Sequence, residues 1–292
     1  MLNNSTPNFT PQPTADGSFT FISPEFGEYF HSHYGAKQES FLKFAAPTQL
    51  ASLAKKGSVK ILDVCYGLGY NTAAALETIW QVNPNCHIEI MALELNPQVP
   101  QAAINHHIFH QWEKQYQDIL NKIAFYHYIQ TDYLQINLLI GDARTSISQV
   151  HKLGFSADAI FFDPFSPPKC PQLWTVEFIT QVSQCLHSNG LLATYSCAAS
   201  VRTALFKAGL VIGSTPPVGR RTPGTIAAYP QRLLDLPKLS QAEQEHLLTR
   251  AAIPYRDPTL SDCAQVILNR REQEQLNSNL EPTSQWRKRW YI

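Results

Sequence analysis

The chain has 292 residues, 44% of them apolar, and its 23 Lys and Arg balance 23 Asp and Glu to a formal net charge of zero at pH 7. That length and apolar fraction allow one large α/β domain with decorations, or two small ones. No apolar run approaches the ~18 residues that would span a bilayer, and the totals show no basic excess of the kind a nucleic-acid enzyme carries, although a local patch can hide in a neutral sum. The N-terminus has no basic start and no apolar core, so no signal peptide is expected. Cys65, Cys86, Cys170, Cys185, Cys197 and Cys263 form no Cys-x-x-Cys pair and read as reduced thiols of a cytoplasmic protein.

Residues 1–16 are polar and proline-bearing and read as a loose lead-in. Gly17-Ser-Phe-Thr-Phe-Ile22 alternates as a strand does, and residues 23–28 form a turn into a second short strand. A small hairpin is therefore expected before a helix running from Lys37 past Phe44. By composition His31 and His33 are ordinary loop histidines. Gly57-Ser58 breaks the chain. Val59 to Val64 is then an apolar, β-branched run with Asp63 at its end, followed by Gly67, Gly69 and a helical pattern from Thr72. A buried strand, a glycine turn and a helix N-terminus are the parts of a nucleotide-binding crossover. The loop reads Asp-x-Cys-x-Gly-x-Gly rather than Gly-x-Gly-x-x-Gly, which suits an adenosyl-methionine loop better than a dinucleotide one.

His87 to Glu94 is the second core strand. Glu94 lies about 25 residues after Gly69, where an acid accepts hydrogen bonds from ribose hydroxyls. Residues 97–131 are mostly helical in pattern. His106, His107 and His110 have no carboxylate or Cys at ligand spacing and read as a solvated helix face rather than a metal site. Ile136 to Ile140 is a strand, followed by Gly141-Asp142-Ala143-Arg144. An acid in that turn can take an adenine amino group.

An apolar strand from Ala157 ends on Asp163 and passes into Pro164-Phe165-Ser166-Pro167-Pro168-Lys169-Cys170-Pro171-Gln172-Leu173-Trp174. Each proline fixes φ and removes a donor. The loop is therefore expected to be a rigid platform with unpaired carbonyls facing a cleft. Asp-Pro-Phe-Ser is similar to the Asp-Pro-Pro-aromatic loop of amino-group methyltransferases. An alkyl ammonium titrates near ~10 and has no lone pair until a proton leaves, so a carboxylate that orients it and takes that proton is what the chemistry needs. Alternating helices and strands continue to Tyr229, with two final strands joined by a loop that carries Arg220 and Arg221. Beyond Pro230 come polar helices and a tail, Trp286-Arg-Lys-Arg-Trp-Tyr-Ile292. Its three cations and three aromatics suit either phosphates and bases or a segment pinned to the body.

Residues 26–36, 63–72, 141–144 and 163–174 together resemble the methyltransferase domain of the MnmC family, the enzymes of tRNA 5-methylaminomethyl-2-thiouridine biosynthesis, over roughly residues 17–230. The resemblance implies an α/β class I (Rossmann-like) methyltransferase: a mostly parallel seven-stranded sheet with helices on both faces. A small N-terminal β-hairpin and helix (1–50), the methyltransferase domain (51–230) and a C-terminal helical extension (231–292) would make up the chain. It implies S-adenosyl-L-methionine as cofactor and methylation of the aminomethyl group on the wobble uridine of tRNA.

Asp163 would orient and deprotonate the amine. Tyr66, Gly67, Gly69, Asn71, Glu94, Asp142 and Ala143 would hold the cofactor, with His31, Tyr34 and Gly35 over its methionine end. Pro164, Phe165, Ser166, Lys169, Trp174, Arg220 and Arg221 would contact substrate. No metal, no membrane and, since no Gly-x-Gly-x-x-Gly follows, no flavin is expected. An upstream flavin oxidase or another enzyme would have to supply the aminomethyl group. The proline after Asp163 and the extension past 230 depart from the family pattern. Another class I amine transferase, or a non-catalytic RNA-binding protein of the same fold, is the alternative.

Overall fold

The computed structural model describes residues 9–219 and 222–290. Its centre is an eight-stranded sheet in the order β5-β6-β4-β3-β7-β8-β10-β9. The strands are β3 (Ser58–Val64), β4 (His87–Glu94), β5 (Tyr128–Gln130), β6 (Leu134–Ile140), β7 (Ala157–Phe162), β8 (Leu186–Thr194), β9 (Val211–Thr215) and β10 (Gly224–Ala228). From β6 through β4, β3 and β7 to β8 all pairings are parallel. β5 is antiparallel to β6, and β10 is antiparallel to both its neighbours. The mostly parallel sheet is as expected, with one strand more than the seven. The addition is three residues long. His127 at φ 60 ends the preceding helix and turns the chain back along β6. So short a strand, inside a helical pattern, leaves no periodicity to read.

Helices α2 (Leu50–Ala54), α3 (Tyr70–Val82), α4 (Gln98–Asn105) and α5 (Lys114–Tyr126), after α1 (Ala36–Ser40) and a π-type turn at Phe41–Ala45, accompany one face. α6 (Ala143–Lys152), α7 (Val176–Gln184) and α8 (Ala199–Lys207) cover the other. In β3, Val59 and Ile61 enter the first core while Leu62 and Val64 enter the second. That is why the strand reads as a continuous apolar run rather than an alternation. β3 lies between β4 and β7, so the connections leave it in opposite directions. That switch point is where an open α/β sheet holds its ligand.

The N-terminal hairpin is present but sits earlier than the sequence indicates. β1 (Gln12–Pro13) pairs with β2 (Phe19–Thr20), and the pairing across 23–28 reduces to one bridge, Ile22 to Tyr29. Asp16 explains the shift: its Oδ1 accepts from the Thr14 hydroxyl at 2.8 Å and the Ser18 N–H at 3.0 Å, closing a turn at Gly17 (φ 80). Residues 9–16 are accordingly fastened rather than loose, with Phe9 buried against Phe21 at 5.5 Å between ring centroids. His106 and His110 set their rings edge-on to Phe21 and Phe19, in a turn after α4 rather than on a helix.

The C-terminal extension contains α9 (Gln241–His246), α10 (Ala264–Leu276) and α11 (Thr283–Trp290). It joins the second core through Tyr255 and Ile267. Buried Arg202 pairs with Glu243 at 2.7 Å. In the tail, Trp286 stacks on His246 at 4.0 Å and donates to the Ala242 carbonyl, while Arg289 and Trp290 bond Glu245. Of the two readings of that segment, these contacts match the pinned one. Tyr291 and Ile292 lie outside the described residues. Among the described residues no helix is long and apolar enough to cross a membrane, and the six cysteines are free thiols.

Candidate active site

Register brings the key acids to one edge. Val64 pairs with Leu93 and with Phe162, so the residues that follow emerge together at the C-terminal ends of β3, β4 and β7. The Asp163 N–H bonds the Val64 carbonyl at 3.1 Å, and Tyr66 N–H bonds Leu93 at 2.9 Å. The turn then uses three left-handed residues in alternation: Cys65 (φ 71), Gly67 (φ 57) and Gly69 (φ 98). Two are glycines, for which the conformation is free; Cys65 adopts it at a cost of about 1 kcal/mol. At Gly69 a methyl group would meet the Tyr66 hydroxyl at 2.7 Å. Glu94 clamps the turn, Oε2 accepting from Gly67 N–H at 2.8 Å and Oε1 from Asn96 N–H at 2.9 Å. Burial pushes its pKa up, and hydrogen bonds from the Asn96, Gly67 and Leu95 backbone only partly restore it.

A cavity of about 650 Å³ lies between this edge, the segment 23–34 and the proline loop. That volume is ample for a nucleoside-sized ligand. Of the residues expected to bind ligand, His31, Tyr34, Tyr66, Gly67, Glu94, Asp163, Pro164, Phe165 and Ser166 line it. Five carboxylates face it, those of Glu25, Glu28, Glu39, Glu94 and Asp163, and among the described residues no Lys or Arg does. A chain neutral in sum thus gathers five acids around one cavity. Asp163 Oδ2 accepts from the Asn71 amide at 2.9 Å. Burial, then the Glu39 and Asp63 charges, push its pKa well above the carboxylate range, against the opposing pull of Asn71 and Lys43.

The first carbonyls of the proline loop, expected to be unpaired, have donors. The Pro164 carbonyl accepts from the Tyr195 hydroxyl at 2.9 Å, that of Phe165 from the Trp174 indole at 2.8 Å, and that of Ser166 from Lys169 and Cys170 N–H. Buried carbonyls demand donors, and prolines leave few backbone ones, so side chains supply them. Trp174 is therefore a fully buried post under the loop rather than a substrate contact. Glu28 ties the loop to the hairpin by accepting from both Ser166 N–H (3.0 Å) and hydroxyl (2.5 Å), and Phe26 stacks on Phe165 at 4.5 Å.

Several expected contacts are elsewhere. Asn71 holds Asp163 and does not line the cavity. Asp142 caps α6 through Arg144 N–H at 2.9 Å and pairs with the Arg144 guanidinium at 2.7 Å; Arg144 also reaches Asp257 at 3.0 Å. Neither Asp142 nor Ala143 lines the cavity. Gly35 and Gly69 shape the backbone beside it, and at Gly35 a side chain would run into Asp16. Lys169 is exposed and off the cavity. Arg220 and Arg221 lie outside the described residues.

The sequence does not single out Glu28 and Tyr195, which hold the loop from distant segments, or Glu39, which lines the cavity and accepts from Ser32 N–H. The sequence also passes over Asp63 as an acid. Asp63 is fully buried, accepts only from the Thr72 hydroxyl at 2.8 Å, and leaves Oδ1 without a hydrogen-bond partner. Burial raises it from 3.8 to about 7. A carboxyl raised on folding is fully tolerated below its unfolded pKa, and stability is lost as pH climbs towards the folded one. Asp63→Asn is therefore expected to match the parent near pH 4 and to exceed it at pH 8, by up to about 4 kcal/mol. Denaturant melts at the two pH values check this, and a variant less stable at pH 8 would refute it.

A family model described as S-adenosyl-L-methionine-dependent methyltransferase matches residues 106–230. An uncharacterised protein of Methanocaldococcus jannaschii is 33% identical over 268 residues, 89% of this chain and 70% of that one. The tRNA 5-methylaminomethyl-2-thiouridine biosynthesis bifunctional protein MnmC of Ralstonia nicotianae is 27% identical over 236 residues, 76% of this chain but 34% of that protein, so the chain spans about a third of its length. The crystal structure of MNMC2 from Aquifex aeolicus superposes with a TM-score of 0.80 at 32% identity, covering 94% of this chain and 88% of that one. With a glycine turn, an acid-lined cavity and near full-length likeness in both sequence and fold, the chain belongs to the MnmC2-like family of S-adenosyl-L-methionine-dependent methyltransferases.

Proposed function

We propose that this enzyme methylates a primary amine on tRNA, the aminomethyl group of 5-aminomethyl-(2-thio)uridine at the wobble position, to give the methylaminomethyl form. The observation that carries the reading is Asp163, a half-buried acid on a proline-stiffened loop, in a cavity lined by five carboxylates and, among the described residues, no Lys or Arg. The name of the bifunctional MnmC relative supplies the nucleoside. The donor set fits the cofactor: Glu94 is held by two backbone N–H groups, and each oxygen keeps a lone pair for a ribose hydroxyl. S-adenosyl-L-methionine supplies a methyl on a cationic sulfur.

The rest is the protein's own work. Gly67 and Tyr66 shape the cofactor side, and Phe165, braced by Phe26 and Phe30, walls the opposite side. Asp163 receives the amine as an ammonium and takes one proton. The freed nitrogen lone pair would then accept the methyl group that the cofactor supplies, the S–C bonding electrons leaving with the neutral thioether. An acid held above the ordinary carboxylate range is the better acceptor for that proton, because its affinity is nearer that of the amine. Alignment of nitrogen, carbon and sulfur supplies much of the remaining rate.

The test offers labelled S-adenosyl-L-methionine with two tRNAs, one carrying the aminomethyl group and one unmodified, followed by mass spectrometry of nucleosides. Methylation of the aminomethyl tRNA alone is expected. Transfer to both tRNAs, or only to protein, DNA or polyamine amines, would replace this reading with another amine methyltransferase; cofactor binding without any transfer would leave a non-catalytic RNA-binding role.

A further inference from the structure

α1 contributes one acid to the cavity wall. Glu39 lines the same cavity as Asp163, is 7% exposed, and has Oε2 fixed by the Ser32 N–H at 2.9 Å. Burying a carboxylate carries a desolvation cost, and one N–H does not offset it, so packing alone does not account for an acid here. The groups whose charge or hydrogen bonding acts on Asp163 come from several elements: Glu39 of α1, Lys43 of the π-type turn, Asp63 of β3, Asn71 of α3, which donates to it at 2.9 Å, and the Cys65 thiol. Asp63 is occupied by Thr72 and lies off the cavity; Glu39 lies on it.

We propose that Glu39 is the second carboxylate of the amine site, a positioning residue that acts through Asp163. This rests on the amine-methylation reading. When an ammonium gives its proton to Asp163, that acid becomes neutral beside the Glu39 charge. Repulsion between two carboxylates is relieved by that transfer, so Glu39 drives the proton from nitrogen to Asp163. With Glu39 neutral, Asp163 is a weaker base and the nitrogen keeps its proton longer.

The experiment measures single-turnover methylation of aminomethyl tRNA against pH at saturating cofactor, with cofactor affinity by calorimetry. Glu39→Gln is isosteric, and its amide oxygen can still accept from Ser32. Its acid limb is expected to move down by about one pH unit or more, with the plateau rate about tenfold lower and the cofactor Kd within about threefold. Glu39→Asp keeps the charge and is expected to return the limb towards the parent. An unmoved limb in Glu39→Gln overturns the proposal. So does a weakened cofactor Kd with the limb in place, which would assign Glu39 to the ammonium of the cofactor. Failure of the parent enzyme to methylate aminomethyl tRNA overturns the amine reading and this inference with it; transfer by the parent with an unmoved limb overturns this inference alone.

Discussion

Asp163→Ala is expected to abolish methyl transfer while leaving cofactor affinity within several-fold of the parent. The acid contacts Asn71 on the loop side of the cavity, whereas the glycine turn proposed to hold the cofactor is organised by Gly67 and Glu94. Loss of a general base lowers rates by about 10²–10⁴-fold, and loss of the group that orients an ammonium adds to that. Asp163→Asn is the sharper variant. It keeps the shape and can still accept from Asn71, yet takes no proton. The parent rate is expected to rise with pH through a midpoint above the usual carboxylate range, because burial and the Glu39 charge raise Asp163 and only its ionised form accepts a proton. That limb should be missing in Asp163→Asn. Normal turnover in either variant would remove Asp163 from the chemistry.

Glu94→Ala is expected to produce the largest loss of cofactor binding. Two effects combine. The ribose hydroxyls lose a charged acceptor, and hydrogen bonds to charged groups are worth about 1.5–3 kcal/mol each. The Gly67 and Asn96 N–H groups also lose the carboxylate that fixes the glycine turn. Since about 1.4 kcal/mol is tenfold in Kd, weakening of about 100-fold is expected. In the parent, affinity should also fall on acidification, because burial raises the Glu94 pKa and its protonated form is a poorer acceptor. Calorimetric titration of the parent and Glu94→Ala at neutral and mildly acidic pH measures both effects. An unchanged Kd would place the ribose elsewhere.

How much of this site could be read in the chain follows from how far apart its parts lie. The strand, the Gly67–Gly69 turn, the acid ending β4 and the Asp163 loop are each contiguous, and their residue types constrain the local backbone directly. They could be placed at sheet edges before any coordinates. The misplaced features are those with distant partners. Asp142, expected at the adenine, also caps α6 and pairs with Arg144, which Asp257 of the C-terminal extension engages from the other side. Trp174 looked like a substrate platform, but the Phe165 carbonyl needed a donor and Trp174 is beneath it.

By itself the sequence determined the doubly wound order of strands and helices, the glycine turn and the loop acid, because local backbone preference and apolar periodicity act over a few residues. Only the tertiary structure decided that Asp63 is buried without a full set of partners, that Glu28 and Tyr195 hold the proline loop, and that five acids share one cavity. A side chain's charge and hydrogen bonds depend on burial and on neighbours tens of residues away in the chain, and neither exists until the sheet has brought those segments to one edge.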